Sequence, residues 1–375
     1  MRFLFYTHSL VSDWNHGNAH FLRGIMRELI SRGHEALALE PEDGWSRSNL
    51  ISRHPEAVER FSADFPELKS LSYGIAFDHE AQLAAADVVV VHEWTDPALV
   101  ARIGAARRHG GRFTLLFHDT HHRAVSQAAS ISALVLDDYD VILAFGETLR
   151  QRYLQAGWGA CVHSWHEAAD LSLFTPLPEI DKEADLVWIG NWGDEERSAG
   201  IADYLIGPTG ALGLSARVYG VRYPLAALAS LADAGIEYRG WLPNSLVPQV
   251  FARHRTTIHI PRRPYVESLP GIPTIRMFEA LACAIPLVSA PWDDVEGLFR
   301  PGRDFLFARD GAHMRKLLRQ ILNDKDLANS LACNGLETIR SRHGCGHRVD
   351  QLFSILARHG TACVIAQLQQ KEAAQ

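Results

Sequence analysis

Short apolar runs alternate with helical patterns along almost the whole chain, and this alternation constrains the fold more than any other feature of the sequence. In the first half, five runs have the length of buried strands and are rich in Val, Leu, Ile and Phe. They are FLFY (3–6), ALAL (36–39), DVVVV (87–91), RFTLLF (112–117) and DVILAF (140–145). Helical patterns at about 18–31 and 97–108 lie between these runs, and another at about 147–156 follows the last one. Strands that are separated by helices pair in parallel, so we predict a doubly wound α/β domain.

The same rhythm starts again in the second half of the chain. Its strand-like runs are DLVWIG (185–190), ARVYG (216–220), IEYRG (236–240), TTIHI (256–260), IPLVSA (285–290) and FLFA (305–308). Residues 166–184, between the halves, carry two prolines and five acidic residues without a sustained period, as linkers do. We therefore predict an N-terminal domain over 1–170, a linker over 171–184, a C-terminal domain over 185–345 and a helical segment over 346–375.

The last segment has the pattern of one helix at about 347–370, which is long enough to pack back on the first domain. Two doubly wound domains in series place the carboxyl ends of two parallel sheets opposite each other. Ligands of such sheets bind outside those strand ends. The sequence therefore predicts two Rossmann-like domains that face each other across a cleft, with the ligand site in the cleft.

Composition and charge narrow the class of protein. A chain of 375 residues that is 47% apolar can bury a substantial core, and a net charge of −7 without a long basic run gives no support to a nucleic-acid partner. The N-terminal apolar stretch is too short for a signal peptide, and no run reaches the length of a membrane span. We expect a cytoplasmic protein that handles small molecules, with peripheral membrane contact left open.

The cysteines predict neither disulfides nor a metal site. They stand at 161, 283, 333, 345 and 363, an odd number with wide spacing and without a C-x-x-C pair. That spacing argues against a disulfide framework and against a structural zinc site. We expect reduced thiols and no bound metal.

The stretch 256–290 is the most informative one for function. A strand ends at Ile260, an 11-residue loop follows, and Pro273 suits the first position of a helix. The first-turn amides of such a helix are unpaired and bind anions, and arginines lie close by in sequence. We predict that this helix start binds a diphosphate. The residues assigned to it are Arg262, Arg263, Thr274, Ile275 and Arg276.

Glu279 lies about one and a half turns into the same helix. A carboxylate at this place can accept hydrogen bonds from both hydroxyls of a ribose. The alternative is a surface ion pair between Arg276 and Glu279, which stabilises a helix by roughly a few tenths of a kcal/mol. Both interpretations stay open from these residues alone.

Several segments together resemble a known enzyme family. FEALACAIPLVSAPW, LFRPGRDFLFARDG and HGCGHRVDQL resemble the C-terminal half of the GT-B glycosyltransferases of the glycosyl transferases group 1 type. They are similar above all to the bacterial branch related to the spore maturation protein CgeB. NHGNAHFLRGIMRELISRGHEALAL is similar to the first βαβ unit of these enzymes, and WHEAADLSLFTP resembles their interdomain segment. The likeness covers about residues 1–45 and 160–350.

The resemblance implies transfer of a sugar from a nucleotide diphosphate sugar, without a bound metal or other cofactor. In related retaining enzymes a glutamate of the F-E-A-L-A segment holds the donor ribose, a role that falls here on Glu279. Those enzymes usually carry another glutamate eight positions earlier, where this chain has Gly271, and the nearest earlier acid is Glu267. The resemblance implies retention, and Gly271 at this position leaves inversion open.

Two further segments follow strands of the second domain. Gly190 and Asn191 open GNWGDEER, where a glycine lets the backbone approach a diphosphate. In related enzymes a basic residue just after this turn stabilises the leaving phosphate, which implies this role for Arg197; a solvated arginine paired with a neighbouring acid is the alternative. RGWLP resembles the segment that lines the nucleobase, and a core position for Trp241 is the alternative.

In the first domain, polar residues follow the predicted strands. His118 and Asp119 come just past RFTLLF, and they can act as a general base if the enzyme inverts. The alternative for Asp119 is a helix N-cap. His92 and Glu93 follow VVVV and are assigned to the acceptor side, with satisfied core residues as the alternative.

Gly17, Asn18 and His20 open the first predicted helix and are also assigned to the acceptor side. Gly17 removes a side chain where phosphates or an acceptor approach, or it is simply a turn glycine. The segment is not a G-x-G-x-x-G fingerprint, which weakens a dinucleotide interpretation.

Three functions remain for this sequence. The first is a metal-independent glycosyltransferase that acts on a glycan, a lipid-linked intermediate, a protein or a small molecule. The second is a non-hydrolysing nucleotide-sugar epimerase on the same scaffold, and the third is a non-enzymatic module that binds a nucleotide or a sugar. The sequence names neither the sugar, the base nor the acceptor, because fold does not fix function.

Overall fold

The computed structural model describes residues 1–374, apart from the side chains of 363 and 370–374, and it divides the chain into two compact units. The first unit comprises Met1–Glu167 together with the chain from Cys345 onward, and the second comprises Ala168–Gly344. Each unit is built on one parallel sheet with helical connections. The predicted fold class, two Rossmann-like α/β domains, is confirmed.

The sheet of the first unit has seven parallel strands in the order β3-β2-β1-β4-β5-β6-β7. The strands are β1 (Arg2–Tyr6), β2 (Glu35–Pro41), β3 (Lys69–Tyr73), β4 (Val88–His92), β5 (Thr114–Asp119), β6 (Val141–Ala144) and β7 (Val162–Ser164). The four valines of β4 are at most 3% exposed, as expected for a central strand that is covered on both faces.

Eight helices connect these strands. They are α1 (Ala19–Ser31), α2 (Trp45–Arg53), α3 (Ala57–Asp64), α4 (His79–Ala84), α5 (Pro97–Arg108), α6 (Arg123–Ser126), α7 (Ala128–Ser132) and α8 (Glu147–Ala156). The apolar stripe of α1, which includes Phe21, Ile25 and Leu29, is buried as its 3.6-residue period requires.

Two details of the first sheet differ from the sequence prediction. The strand predicted at RFTLLF runs two residues further, so His118 and Asp119 are the last residues of β5 and not part of the following loop. The edge strands β3 and β7 were not predicted from the sequence. β3 (KSLSY) has no buried residue, because an edge strand need not be apolar.

The sheet of the second unit has six parallel strands in the order β10-β9-β8-β11-β12-β13. The strands are β8 (Ala184–Ile189), β9 (Ala216–Tyr219), β10 (Ile236–Tyr238), β11 (His254–His259), β12 (Leu287–Ser289) and β13 (Leu306–Phe307). A cluster of buried side chains that includes Leu186, Ile258 and Leu318 forms the core. All six predicted strands of this half exist, with ends that shift by at most two residues.

The helices of the second unit are α9 (Ser198–Ile201), α10 (Gly207–Leu212), α11 (Leu225–Asp233), α12 (Val247–Ala252), α13 (Arg263–Glu267), α14 (Ile275–Ala282), α15 (Gly311–Asn323) and α16 (Lys325–Arg342). A π-helical turn, Ala202–Ile206, joins α9 to α10, and 3₁₀ turns lie at Asp194–Glu196 and Asn244–Leu246. The loop predicted after Ile260 contains the short α13, and α14 begins one residue after Thr274, close to the predicted start.

After α16 the chain returns to the first unit as α17 (Cys345–His359) and α18 (Ala362–Ala374). Asp350 of α17 accepts a hydrogen bond of 2.5 Å from Arg32, which follows α1, and the backbone amide of Thr361 donates to Thr114. The predicted packing of the C-terminal helix on the first domain is confirmed. The single helix predicted at 347–370 is wrong, because the chain breaks at Gly360 and Thr361 between two helices.

No helix in the described part of the chain combines the length and the apolar character needed to cross a membrane. Among the described cysteines, Cys161, Cys283, Cys333 and Cys345 form no disulfide. The side chain of Cys363 lies outside the described residues.

Candidate functional site

Each sheet has one point where the strand order reverses, and open α/β sheets bind ligands outside the carboxyl ends of the strands at such a point. In the first sheet this point lies between β1 and β4, and in the second it lies between β8 and β11. We describe the two edges separately.

The predicted donor residues all follow strands of the second sheet, at its carboxyl edge. Those after β8 and β11 flank the reversal point, whereas Trp241 follows the edge strand β10. The residues after β8 are Gly190, Asn191 and Arg197, and those after β11 are Arg262, Arg263, Thr274, Ile275, Arg276 and Glu279. The topology thus collects on one edge residues that are up to 90 positions apart.

Arg197 is a cation without a carboxylate partner among the described residues. Its Nη1 donates to the carbonyl of Asn191 at 3.1 Å, its guanidinium lies 5.8 Å from the centre of the Trp188 ring, and its buried Nε has no hydrogen-bond partner. Burial, together with the positive charges of Arg262 and Arg276, lowers the pKa of Arg197 to about 9. The alternative of a solvated arginine paired with a neighbouring acid does not fit: Asp194 pairs with Arg222 instead.

Glu279 lies inside the second unit and not on its surface. Its carboxylate is fully buried, accepts a hydrogen bond of 2.9 Å from the Asn244 amide and forms an ion pair with Arg276. The side chain of Arg276 is 28% exposed. The surface pair considered from the sequence is therefore wrong. Because this carboxylate has no exposed surface, ribose binding would require neighbouring side chains to move.

His259, the last residue of β11, links the strand to the start of α14. Its Nδ1 lies 2.9 Å from the Ser289 hydroxyl and its Nε2 lies 3.1 Å from the hydroxyl of Thr274, the residue before α14. Burial, and then the charge of Arg197, lowers the pKa of His259 to about 3, so the ring is neutral. The sequence analysis missed this residue, although a histidine at the end of an otherwise apolar strand is itself a signal.

The other predicted donor positions have local explanations or ion-pair partners. A Cβ on Gly190 would lie 2.6 Å from the ring of Trp188, so packing alone requires glycine there. Gly271 has a φ of +91°, where a side chain is strained. Arg262 pairs with Glu196 at 3.2 Å, and Arg263 is exposed on α13.

The first unit contains a small pocket at the reversal point of its sheet, lined by both apolar and polar side chains. The pocket has about 20 Å³ of free volume, the space of about one water molecule. Three predicted residues line it: Asn18, His92 and His118. The sequence analysis missed the other polar lining residues, Thr7, His16 and Thr120. Thr7 directly follows β1 and Thr120 directly follows β5, so their strand-end positions could have revealed them.

Thr120 is the centre of a hydrogen-bond network in this pocket. Asn18 donates to its hydroxyl at 2.5 Å, and His92 Nε2 lies 2.9 Å from the same oxygen. The hydroxyl of Thr120 donates to Glu93 at 3.3 Å, and the other oxygen of Glu93 lies 3.0 Å from His92 Nδ1. Burial, and then the charge of Asp119, raises the pKa of Glu93 well above its ordinary value. The carboxyl group of Glu93 therefore favours its neutral form, beside the ring of His92.

His118 offers an unused ring nitrogen to the pocket. Its Nε2 is buried and has no hydrogen-bond partner among the described residues. Burial lowers the pKa of His118 to about 3. A neutral imidazole of this kind is a good hydrogen-bond partner for a hydroxyl and a weak base.

Asp119 points into the unit and does not line the pocket. It accepts hydrogen bonds from the Tyr153 hydroxyl at 2.7 Å and from the backbone amide of His121 at 3.0 Å. Burial raises the pKa of Asp119 to about 6. Its bond to the His121 amide resembles a cap, but the first helix after it, α6, begins four residues later.

Gly17 and His20 do not line the pocket. Gly17 lies in the turn before α1, where its carbonyl accepts the amide of His20 at 3.3 Å, and the side chain of His20 is buried. Beyond the predicted set, the exposed ring of Trp94 lies 4.4 Å from the guanidinium of Arg123 and 5.3 Å from the ring of His121.

Comparisons with known proteins identify the fold. Sucrose-phosphate synthase from Thermosynechococcus elongatus has a TM-score of 0.65 at 13% identity, covering 95% of this chain and 99% of that one. HepE from Anabaena, in complex with UDP and glucose, has a TM-score of 0.66 at 14% identity with the same coverage. An α-glucosyltransferase in complex with UDP and DNA has a TM-score of 0.69 at 12% identity, again with the same coverage.

The fold is that of the GT-B glycosyltransferases. Residues 204–354, which hold most of the second unit and the first turns of α17, also match a family model described as glycosyl transferase-like. A sequence comparison with curated proteins gives no match. The segment matched by the family model includes the arginines after β11 and Glu279.

Proposed function

We propose that this protein is a metal-independent glycosyltransferase that moves a sugar from a nucleotide diphosphate sugar to an acceptor. The second unit binds the donor, and the first unit supplies hydrogen-bonding groups for the acceptor or the sugar. UDP-sugars are the first donors to test, because HepE and the α-glucosyltransferase were both solved with UDP. The segments that resemble the CgeB-like branch support a place in that branch.

The observation that carries the proposal is Arg197. A partly buried cation without a carboxylate partner in the described structure has an energetic reason to bind an anion. It follows β8 at the reversal point, and Arg262 and Arg276 follow the neighbouring strand β11. A diphosphate supplies the negative charge that three arginines favour, and its developing charge on departure is what such cations stabilise.

The pKa values of the titratable groups in and beside the pocket of the first unit favour retention. An inverting transfer needs a general base that removes a proton from the acceptor hydroxyl. Burial lowers the pKa of His118 to about 3, which makes the ring a weak base, and burial raises the pKa of Glu93, which favours its protonated form. Asp119 has a better pKa, but hydrogen bonds occupy both of its oxygens. These three groups are thus poorly suited to act as the base.

The first experiment measures nucleotide binding without metal. UDP, GDP, dTDP and CMP are titrated by calorimetry and by thermal shift, with EDTA present; a ligand at 100 times its dissociation constant stabilises the folded protein by about 2.7 kcal/mol. We expect one of the diphosphates to bind equally well with EDTA and with Mg²⁺. Binding that requires Mg²⁺ or Mn²⁺ would contradict the proposed site.

The second experiment separates transfer from the alternative functions. The nucleotide sugar that binds best is incubated with and without a panel of glycan, lipid-linked, peptide and small-molecule acceptors, and the anomeric configuration of any product is read by NMR. Release of an altered nucleotide sugar without acceptor would indicate an epimerase, and binding without turnover would indicate a binding module. DNA belongs in the panel as a negative control, because the net charge of −7 disfavours it.

A further inference from the structure

A cluster of one cysteine and two histidines lies on the first unit, outside the pocket described above. Cys161 precedes β7, His163 lies within β7, and His359 is the last residue of α17. One ligand atom from each of the three side chains lies within 4.8 Å of the other two. The Cys161 sulfur is 3.5 Å from His163 Nε2, and the rings of His163 and His359 are 5.0 Å apart. The proposed transfer from a nucleotide sugar to an acceptor assigns no role to these three side chains.

The distance between the side chains of Cys161 and His163 fits a tetrahedral zinc site. With Zn–S of about 2.3 Å and Zn–N of about 2.0–2.1 Å, a sulfur and a nitrogen on one tetrahedral zinc ion lie about 3.5 Å apart. Cys161 and His163 already have this separation. His359 is exposed, so its ring can turn to complete the set without repacking the core.

The backbone explains why Cys161 and His163 point the same way. The carbonyl of Cys161 accepts the amide of Ile142, and β7 pairs in parallel with β6 from Val162 onward. In extended chain, residues two apart lie on the same face of the sheet. The spacing of the cysteines in the sequence argued against a zinc site. The third ligand comes from a helix almost 200 residues away, which only the tertiary structure brings close.

We propose that Cys161, His163 and His359 bind one zinc ion, with water in the fourth position. A thiolate and two imidazoles favour zinc over Mg²⁺ and Ca²⁺, which prefer oxygen ligands. Binding releases the thiol proton to solvent and involves no redox step. The site is separate from the proposed glycosyl transfer, which needs no metal.

The proposed ion joins two parts of the first unit that the whole second unit separates in sequence. The chain leaves the first unit after Glu167 and returns at Cys345, and the ligands lie shortly before the exit and after the return. A link that closes a loop of roughly 200 residues removes much freedom from the unfolded chain. Zinc binding should therefore stabilise the attachment of α17 to the sheet.

The test is zinc binding by the full chain after metal is stripped with EDTA. Zinc is titrated against a chromophoric chelator, and Co²⁺ is added separately because a thiolate ligand gives Co²⁺ a charge-transfer absorption band. The variants are Cys161→Ser and His359→Ala. The matched controls are Cys333→Ser, an exposed thiol of the second unit, and His109→Ala, an exposed imidazole of the first.

We expect one zinc ion per chain, a thiolate band with Co²⁺ and a higher melting temperature with zinc than without. Each ligand variant should lose affinity by more than about tenfold, and Cys161→Ser should lose the band. The two controls should bind like the wild type, and a large excess of Mg²⁺ should not compete. His359 is exposed, so its variant is expected to fold even if Cys161→Ser does not.

Either of two results would overturn the proposal. The first is the absence of stoichiometric zinc binding in the wild type. The second is zinc binding that both ligand variants keep unchanged, which would place the ion elsewhere. Neither result bears on nucleotide binding in EDTA, so the two proposals fail independently.

Discussion

The carboxyl edges of the two parallel sheets differ in charge, although their scaffolds are alike. At the reversal point of the first sheet, the polar groups favour their neutral forms: imidazoles with lowered pKa values, Glu93 with a raised pKa, and the side chains of Asn18 and Thr120. At the reversal point of the second sheet, the polar groups are mainly arginines, of which Arg197 has no carboxylate partner in the described structure.

This difference indicates which part of a substrate each edge suits. A neutral hydrogen-bonding pocket matches sugar or acceptor hydroxyls, which need donors and acceptors but no counter-charge. A cationic edge matches a diphosphate. The same fold therefore carries two kinds of site, because the residues that follow the strands, and not the strands themselves, decide the chemistry.

Replacement of the unpaired cation should have the largest effect. Arg197→Gln removes the charge beside the leaving phosphate, and loss of one stabilising group of this kind lowers kcat by about 100- to 1,000-fold. The measurement is steady-state turnover with saturating donor. Arg217→Gln is the control, because Arg217, which lies on β9, forms ion pairs with Glu183 and Glu237. Equal kcat in both variants would show that Arg197 is not part of the site.

Replacement of the buried acid of the cationic edge should have the next largest effect. Glu279→Gln keeps the shape and the contact with Asn244 but weakens two charge-assisted hydrogen bonds to a ribose. We expect donor affinity to fall by about 10- to 150-fold, or about 1.5–3 kcal/mol. Calorimetric titration of the nucleotide into wild type, into this variant and into the surface control Glu237→Gln decides the point.

The structure adds a competing explanation for this variant. Because Glu279 forms a buried ion pair with Arg276, its replacement can lower stability without any role in ribose binding. Circular dichroism and the melting temperature must therefore show that the variant is folded before it is titrated. A folded variant whose dissociation constant changes by less than about threefold would contradict the ribose role.

The neutral edge should respond more weakly and in a different parameter. His118→Ala removes one neutral hydrogen bond, so we expect kcat to fall by about 2- to 12-fold while nucleotide affinity stays nearly the same. A fall of more than about 100-fold would instead indicate a general base and favour inversion. An equal loss of nucleotide affinity would place His118 with the donor and break the contrast between the two edges.

The smallest effect concerns stability and its dependence on pH. Because the pKa of Glu93 is raised from 4.5, the folded protein keeps a proton that the unfolded chain loses above that pH, and stability falls as pH rises. Glu93→Gln removes this cost. The free energy of unfolding of the variant, relative to that of the wild type, should therefore rise as the pH increases above about 4.5. Denaturant titrations at pH 4.5 and pH 8 measure the gain. The exposed Glu56→Gln should show none, and a pH-independent difference for Glu93→Gln would refute a protonated carboxyl.

Sequence periodicity predicted most of the central strands of both sheets, because central parallel strands are apolar on both faces. It failed at β3 and β7, which lie at sheet edges and are not uniformly buried. Helical periodicity also does not account for Arg23 of α1, which the structure buries against the carbonyls of Leu10 and Val11 and beside Asp13. The loop after β1 covers that face of the helix, and the periodicity of a helix carries no information about where a loop will pack.

For the candidate site, the sequence supplied residue types and strand ends but not partners. It placed Asn18, His92 and His118 at strand or helix ends, and the structure brings these three to one pocket. It left open whether Glu279 is a surface residue. That answer depends on Asn244, which is 35 positions earlier and follows a different strand.

The sequence by itself determined the succession of strands and helices and the polar residues that follow them, since both depend on local pattern and on spacing along the chain. Only the tertiary structure decided which of those residues are buried, charged or paired. Thr120 contacts Asn18 and His92, each of which lies more than 25 positions earlier in the chain. Cys161 lies close to His359, almost 200 positions later. The physical reason is that desolvation and hydrogen bonding depend on neighbours in space, and the order of strands in a sheet sets those neighbours.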